Sequence, residues 1–302
     1  MTGTSTIELT APPNTTSLFA KAALGALPGP SRPKELPDTE LVLPGQPVDR
    51  DHLAAYSRVC GFALSDRLPL TYPHVLGFGL SMQLMAGRDF PFPLIGLVHI
   101  ANRITRYREI GADERLDLRV RAGGLAPHER GSQFVVTMEA AVDGEVVWSG
   151  ESTYLRRGGS GGERAAGSTS QSPAQERPDE PTALWRLPED IGRRYAAVSG
   201  DVNPIHLHWL TARPLGFRRA IAHGMYTKAR SVAAVAPRLP GACTVEVRFG
   251  RPVLLPATVE FSAVKSNAKF DAAAAEAGWD LAVRSRKGKP HLTGTAAPAT
   301  AG

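Results

Sequence analysis

Ser199-Gly200-Asp201-Val202-Asn203-Pro204-Ile205-His206 is the densest polar cluster in a non-helical stretch of the chain. Upstream of it, residues 189–198 read as a helix with Ile191, Tyr195 and Val198 on one face. Pro204 forbids continuation of that helix, because a proline pushes the preceding residue out of the α region. Downstream, Ile221-Ala222-His223-Gly224-Met225 opens an Ala-rich apolar helix over residues 224–235 that ends before Pro237. Strand-like runs follow at 243–249, 258–264, 279–284 and, more weakly, 291–295. One long helix followed by an antiparallel run of strands is an α+β pattern, not the alternation of a parallel sheet.

An Asp and a His five residues apart across an Asn-Pro turn can point at one spot. A carboxylate and an imidazole together suit general acid–base work, especially where burial moves their pKa values toward neutrality. His223-Gly224 then stands at a helix N-terminus, where unpaired N–H groups and the helix dipole favour negative charge. Glycine at 224 would let a ligand carbonyl approach that backbone closely. The same residues also admit a plain structural reading. Asp201 can cap the next turn, His206 and His208 can be surface histidines, and His223 can be a cap residue.

Residues 156–181 are rich in Gly, Ser, Pro and charge, a composition that buries too little apolar surface to order itself. They read as a flexible linker between blocks at 41–155 and 182–302, with residues 1–40 as an arm holding at most one short helix. The first block has the same order as the second: a helix at 75–85, then strands at 94–105, 116–121, 134–142 and 146–156. A shift of 139 residues lays Tyr56, Val59 and Gly61 on Tyr195, Val198 and Gly200. A gap of about ten residues, pairing Tyr72-Pro73-His74 with Ile221-Ala222-His223, keeps the later elements in step. At the ungapped offset Phe62 falls at the Asp201 position and Arg67 at that of His206, so one active site per chain is expected, in the second block.

The chain of 302 residues suffices for two domains, and its 42% apolar content fits a globular protein. Lys and Arg exceed Asp and Glu by 35 to 29, a modest excess spread along the chain. No dense basic stripe or reader motif accompanies it, so nucleic acid is not expected as a partner. Cys60 and Cys243 are far apart and lack metal-ligand spacing, which points to a reducing compartment. The mildly apolar run at 17–27 is too short to span a bilayer, so no membrane insertion and a cytoplasmic location are expected.

Y-A-A-V-S-G-D-V-N-P-I-H at 195–206, A-x-x-x-G-F at 212–217 and I-A-H-G-M at 221–225 closely resemble the MaoC-like dehydratases. That family includes the (R)-specific enoyl-CoA hydratases, and the match covers about 31 residues at the usual spacing. L-P-L-T-Y-P-H at 68–74 and P-F-P-L-I-G-L-V-H at 91–99 extend the likeness to actinobacterial double-hotdog 3-hydroxyacyl-thioester dehydratases. The resemblance implies an α+β double hotdog, each half a long helix wrapped by an antiparallel sheet. The two halves would form an intrachain pseudo-dimer, with a homodimer of chains left open.

By the same resemblance, Asp201 and His206 are the catalytic pair and the Gly224 amide holds the thioester oxygen. Asn203, Ser199 and His223 are expected to bind substrate or brace the loop. The substrate would be acyl-CoA or an acyl carrier protein, whose pantetheine belongs to the substrate; no metal or other cofactor is expected. Arg213, Arg218, Arg219, Lys228, Arg248 and Arg251 are candidates to meet phosphates or a carrier. Leu76, Phe78, Leu80, Met82, Leu84 and Met85 suit either an acyl tunnel or plain core packing. A hotdog thioesterase and a non-catalytic acyl-thioester-binding subunit are the competing functions.

Overall fold

The computed structural model describes residues 4–24, 32–158, 180–266 and 278–299. In chain order the elements are β1 (Ser5–Glu8), α1 (Thr15–Leu24), β2 (Thr39–Gln46), α2 (Arg50–Cys60), α3 (Tyr72–Leu76), α4 (Phe78–Ala86), β3 (Leu97–Arg106), β4 (Leu116–His128), β5 (Gly131–Val142) and β6 (Glu145–Arg157). The second half continues with β7 (Ala183–Leu187), α5 (Ile191–Ser199), α6 (Pro204–Leu207), α7 (Trp209–Ala212), α8 (Gly224–Val235), β8 (Cys243–Phe249), β9 (Ala257–Lys265), β10 (Trp279–Ser285) and β11 (Pro290–Pro298).

Eleven strands form one sheet in the order β1-β2-β4-β5-β6-β3-β8-β11-β10-β9-β7. The six strands of the first half therefore meet the five of the second along a single seam, where β3 pairs antiparallel with β8. Within the sheet α4 packs on β2 and β4, and α8 on β8, β10 and β11. Each half thus wraps its strands around its own helix, the double-hotdog architecture. Alternation drives this: Cys243, Val245 and Val247 of β8 point inward while Arg248 is exposed.

The internal repeat has a structural basis. Asp49 caps α2 by accepting from the amides of Asp51 and His52, and Gly61 ends it in the left-handed region at φ 84°. Gly200 ends α5 in the same way at φ 72°, a conformation that glycine adopts without steric cost. The buried Tyr56 and Tyr195 rings approach to 6.3 Å as α2 and α5 pack together. Gly224 lies further from Phe78 in sequence than Gly200 does from Gly61, so the second half carries extra residues before its long helix. The structure uses them for α7 and the 3-10 turn Arg213–Leu215.

Several sequence expectations need correction. The first forty residues hold more than an arm with one helix, since β1 pairs in parallel with β2 over Ser5–Glu8. An unpaired edge on β2 supplies the hydrogen-bonding groups that order it. The linker begins later than 156, because Arg156 faces Leu97 of β3 and Arg157 faces Gly131 of β5 in ladders on both sides of β6. Residues 159–179 of that linker lie outside the described residues. The helix expected at 75–85 is broken at Gly77, where any side chain would strike the Met138 sulfur. Leu80, Met82, Leu84 and Met85 are core residues, 5% exposed or less, which decides for packing over tunnel lining at those four.

Candidate active site

Gly200 turns the chain out of α5 and delivers Asp201 into a tightly bonded loop. The Asp201 amide donates to Ser199 Oγ at 3.2 Å, and Asp201 Oδ1 accepts from the Asn203 amide at 3.2 Å. Asn203 Oδ1 in turn accepts from the Ile205 amide at 3.3 Å and caps α6, with Pro204 in its first turn. Ser199 and Asn203 therefore have oxygens engaged by loop amides. The capping role considered for Asp201 falls to Asn203 instead; Asp201 Oδ1 braces the loop before α6, while Oδ2 stands 3.8 Å from His223 Nε2.

His206 is fixed by its tautomer. Its Nδ1 lies 2.8 Å from the Ile221 carbonyl oxygen, which can only accept, so Nδ1 carries the proton and Nε2 keeps a lone pair. The Ile221 amide also donates to the Ile205 carbonyl at 3.0 Å, which ties α6 to the segment entering α8. Gly192 of α5 makes this approach feasible: a side chain there would collide with the His206 backbone oxygen. His223, the residue before α8, donates from Nε2 to the Asp201 backbone oxygen at 2.9 Å. The His206 and His223 rings stack 3.7 Å apart at 25°.

Burial governs the electrostatics. It pushes the Asp201 carboxyl up, against the opposing pull of His206. It pushes the His206 imidazole down, with Asp201 opposing. His223 is held well below the ordinary histidine value by burial first and by its neighbour His206 second. Asp and His are thereby brought toward each other in proton affinity, as a shuttle between them needs.

Asp201, His206 and His223 offer ligand atoms that all lie within 4.8 Å of one another. Carbonyls already engage one nitrogen of each histidine.

Gly224 opens α8 beside this cluster. A Cβ at that position would lie 3.0 Å from the Phe249 ring, so packing also requires the glycine. Phe249 leads to residues of the first half that the sequence did not single out as site residues. Its ring meets that of His99 at 5.0 Å, and His99 stacks on Tyr154 at 4.7 Å and on His74 at 6.5 Å. His74 neighbours the Phe78 ring at 6.3 Å, and a Cβ at Gly200 would touch that ring at 3.8 Å. Burial holds His74 down at about 4 and His99 at about 3, so both are neutral. The available signal was that both first-half motifs, 68–74 and 91–99, end on these histidines.

Of the basic candidates, Arg213, Arg218, Arg219, Arg248 and Arg251 are exposed. Lys228 is corrected: it is fully buried and cannot meet a phosphate. Its ammonium donates to Asn102 O and Oδ1 at 3.2 and 2.6 Å and to Val245 O at 2.9 Å, pinning α8 to the seam between the halves.

Residues 165–278 match the family model of the MaoC like domain. Over 278 residues, 91% of this chain and 95% of the relative, the sequence is 39% identical to 3-hydroxyacyl-thioester dehydratase X of Mycobacterium tuberculosis. The crystal structure of HtdX of M. tuberculosis superposes with a TM-score of 0.73 at 37% identity, covering 86% of this chain and all of that one. A MaoC-like dehydratase from Phytophthora capsici shares the fold at TM-score 0.68 and 16% identity, over 86% of this chain and 95% of its own. With the loop, the stacked histidines and the helix start of its second half all in place, the chain belongs to the MaoC-like dehydratase family.

Proposed function

We propose that the protein is a hydro-lyase acting on acyl thioesters, interconverting (R)-3-hydroxyacyl and trans-2-enoyl forms in fatty-acid metabolism. The observation that carries this reading is the pairing of a raised Asp201 carboxyl with a His206 whose Nε2 lone pair is set by the Ile221 carbonyl. In hydration, water lies between the Asp201 carboxylate and His206 Nε2. Its oxygen adds to C3, and the proton it gives up is returned from the pair to C2. The enolate-like oxygen that forms at C1 is met by the Gly224 amide and the positive end of α8. A donor aimed at such an oxygen lowers the barrier by about 3 kcal/mol. Dehydration runs the same steps in reverse. Every proton moves between groups of this chain and the substrate, so no metal or redox cofactor enters the scheme.

Hydration of crotonyl-CoA, followed at the enoyl absorbance band and by free-thiol assay, tests the proposal. Loss of the band without thiol is expected. Released thiol would make the protein a thioesterase, and silence with every enoyl chain length would leave it a binding subunit. The substrate's carrier, coenzyme A or an acyl carrier protein, is the finer question, and the cytosol is the compartment that the cysteine usage favours.

A further inference from the structure

The extra residues that separate the two halves' otherwise similar plans lie between α6, which carries His206, and α8, which begins at Gly224. α7 and the 3-10 turn Arg213–Leu215 turn their inner side to the protein through Ala212, which is fully buried and accepts from the Phe217 amide at 3.1 Å. Their outer side is unusual. Trp209, Leu210 and Leu215 are 40%, 58% and 39% exposed, and Arg213, Arg218 and Arg219 are exposed beside them. From Val202 to Val245 the sequence contains no acidic residue, and its one lysine, Lys228, is buried. The segment thus offers apolar side chains beside exposed arginines, with no carboxylate of its own.

Exposed apolar side chains grouped with charge mark a surface that another macromolecule covers. Tryptophan and arginine are the residues most enriched where protein contacts carry binding energy. Phosphates need cations but gain nothing from two exposed leucines, whereas an acidic protein face uses both. His206 and His223 are 8% and 2% exposed, so the acyl group must reach them at the end of a long arm.

We propose that residues 209–219 dock an acidic carrier protein, which presents its acyl group to Asp201 and His206 on a phosphopantetheine arm. The proposal rests on the hydro-lyase reading and names the delivery partner for that site.

The test places one trans-2-butenoyl group on three carriers: pantetheine alone, coenzyme A, and an acidic bacterial acyl carrier protein. Wild type is compared with the double variant Arg218→Glu/Arg219→Glu and with Leu210→Ser. The double variant is expected to raise KM for the carrier-protein substrate by about 10- to 100-fold, Leu210→Ser by less, with pantetheine turnover unchanged. Added salt should raise the wild-type KM for the carrier-protein substrate while leaving that for pantetheine alone. Equal losses on coenzyme A and carrier protein would make the patch a nucleotide-phosphate site and overturn the proposal. Unchanged kinetics on all three carriers, or losses on pantetheine as well, would also overturn it. Failure of wild type to hydrate any of the three would instead sink the hydro-lyase reading itself.

Discussion

Two loops that follow similar helices behave in opposite ways. After α2, Gly61 turns the chain in the left-handed region, Phe62 stacks on Tyr56 at 6.2 Å, and Arg67 runs out to the surface, 3.8 Å from Glu109. After α5, Gly200 makes the same turn, but Asp201 and His206 fold inward onto His223. The cap and the buried tyrosine are common to both, while the Asp–His cluster belongs to one. A covalent pair of hotdogs needs both helices to build the seam, yet catalysis requires only one loop to stay polar. The first loop is thus relieved of the cost of burying ionisable groups, and it fills with packing and a solvent-facing ion pair.

The difference breaks most sharply at the acid–base pair. Asp201→Asn and His206→Ala should each lower turnover by about 10²-fold or more, measured with a short enoyl thioester. Asp201→Asn should at the same time leave thermal stability at pH 7–8 equal or higher. Its carboxyl is pushed up on folding, so the stabilising proton is present only below the unfolded value and is lost as pH rises through the folded one. Above that window the native state carries a charge it would rather not hold, and Asn removes it while keeping the oxygen that accepts from Asn203. A fall of several degrees in Tm together with lost activity would mean a structural aspartate.

Next in size is Gly192→Ala, a change in a helix that touches no substrate. Alanine should favour a helix interior, but here its methyl would strike the His206 backbone oxygen. We expect α6 to shift, turnover to fall by about tenfold or more, and stability to drop by about 1–3 kcal/mol. A variant as active as wild type would show that His206 tolerates displacement. A methyl at Gly61, the left-handed cap of the silent loop, should strain the backbone and lower Tm with little effect on turnover per folded molecule.

Gly192 also shows what the sequence could and could not say. The local signals were sufficient for α8 and β8, whose bounds follow from an Ala-rich apolar run, Pro237 and strict alternation at 243–249. The loop was legible because Asp, Asn-Pro and His impose its turns within eight residues. β1 and β7 were not, since four- and five-residue strands are ordered by the partners they pair with. Lys228 misled because a lysine on an amphipathic helix ordinarily faces water, and its three oxygen acceptors come from β3 and β8. Gly192 against His206, and His99 beside Phe249, are contacts between distant segments that no local pattern encodes.

The first half also titrates. His74 and His99 are neutral in the native state, at about 4 and about 3, against 6.5 for a free histidine. The unfolded chain therefore takes up protons first, and the stability these groups allow above pH 6.5 is lost as pH falls toward those values. At pH 5 the loss is about 2 kcal/mol for each histidine. His99→Phe keeps the aromatic stack with Tyr154 and Phe249 and should flatten the fall of Tm between pH 7 and 5. An unchanged slope would place the acid-sensitive groups elsewhere, with His206 and His223 the next to examine, since both are pushed down by the same burial.

The smallest expected effect is the strictest check on the silent loop. The ungapped offset lays Arg67 on His206, but the structure corrects this: Arg67 bridges to Gly111 as Ile221 bridges to Leu254, and its side chain is 56% exposed and that of Glu109 52%. An ion pair so open to water is screened and contributes about 0–1 kcal/mol. The backbone there is held independently, because the Leu68 amide donates to the Ile110 carbonyl at 2.8 Å and Arg67 bridges to Gly111. Arg67→Ala should therefore leave activity within about twofold and stability within about 0.5 kcal/mol. The contrast with His206→Ala, made in the loop that follows the matching helix, separates the loop chemistry from the fold that carries it. If Arg67→Ala lowered turnover tenfold while Tm held, the first loop would not be silent, and a second functional group would have to be sought around Phe62 and Glu109.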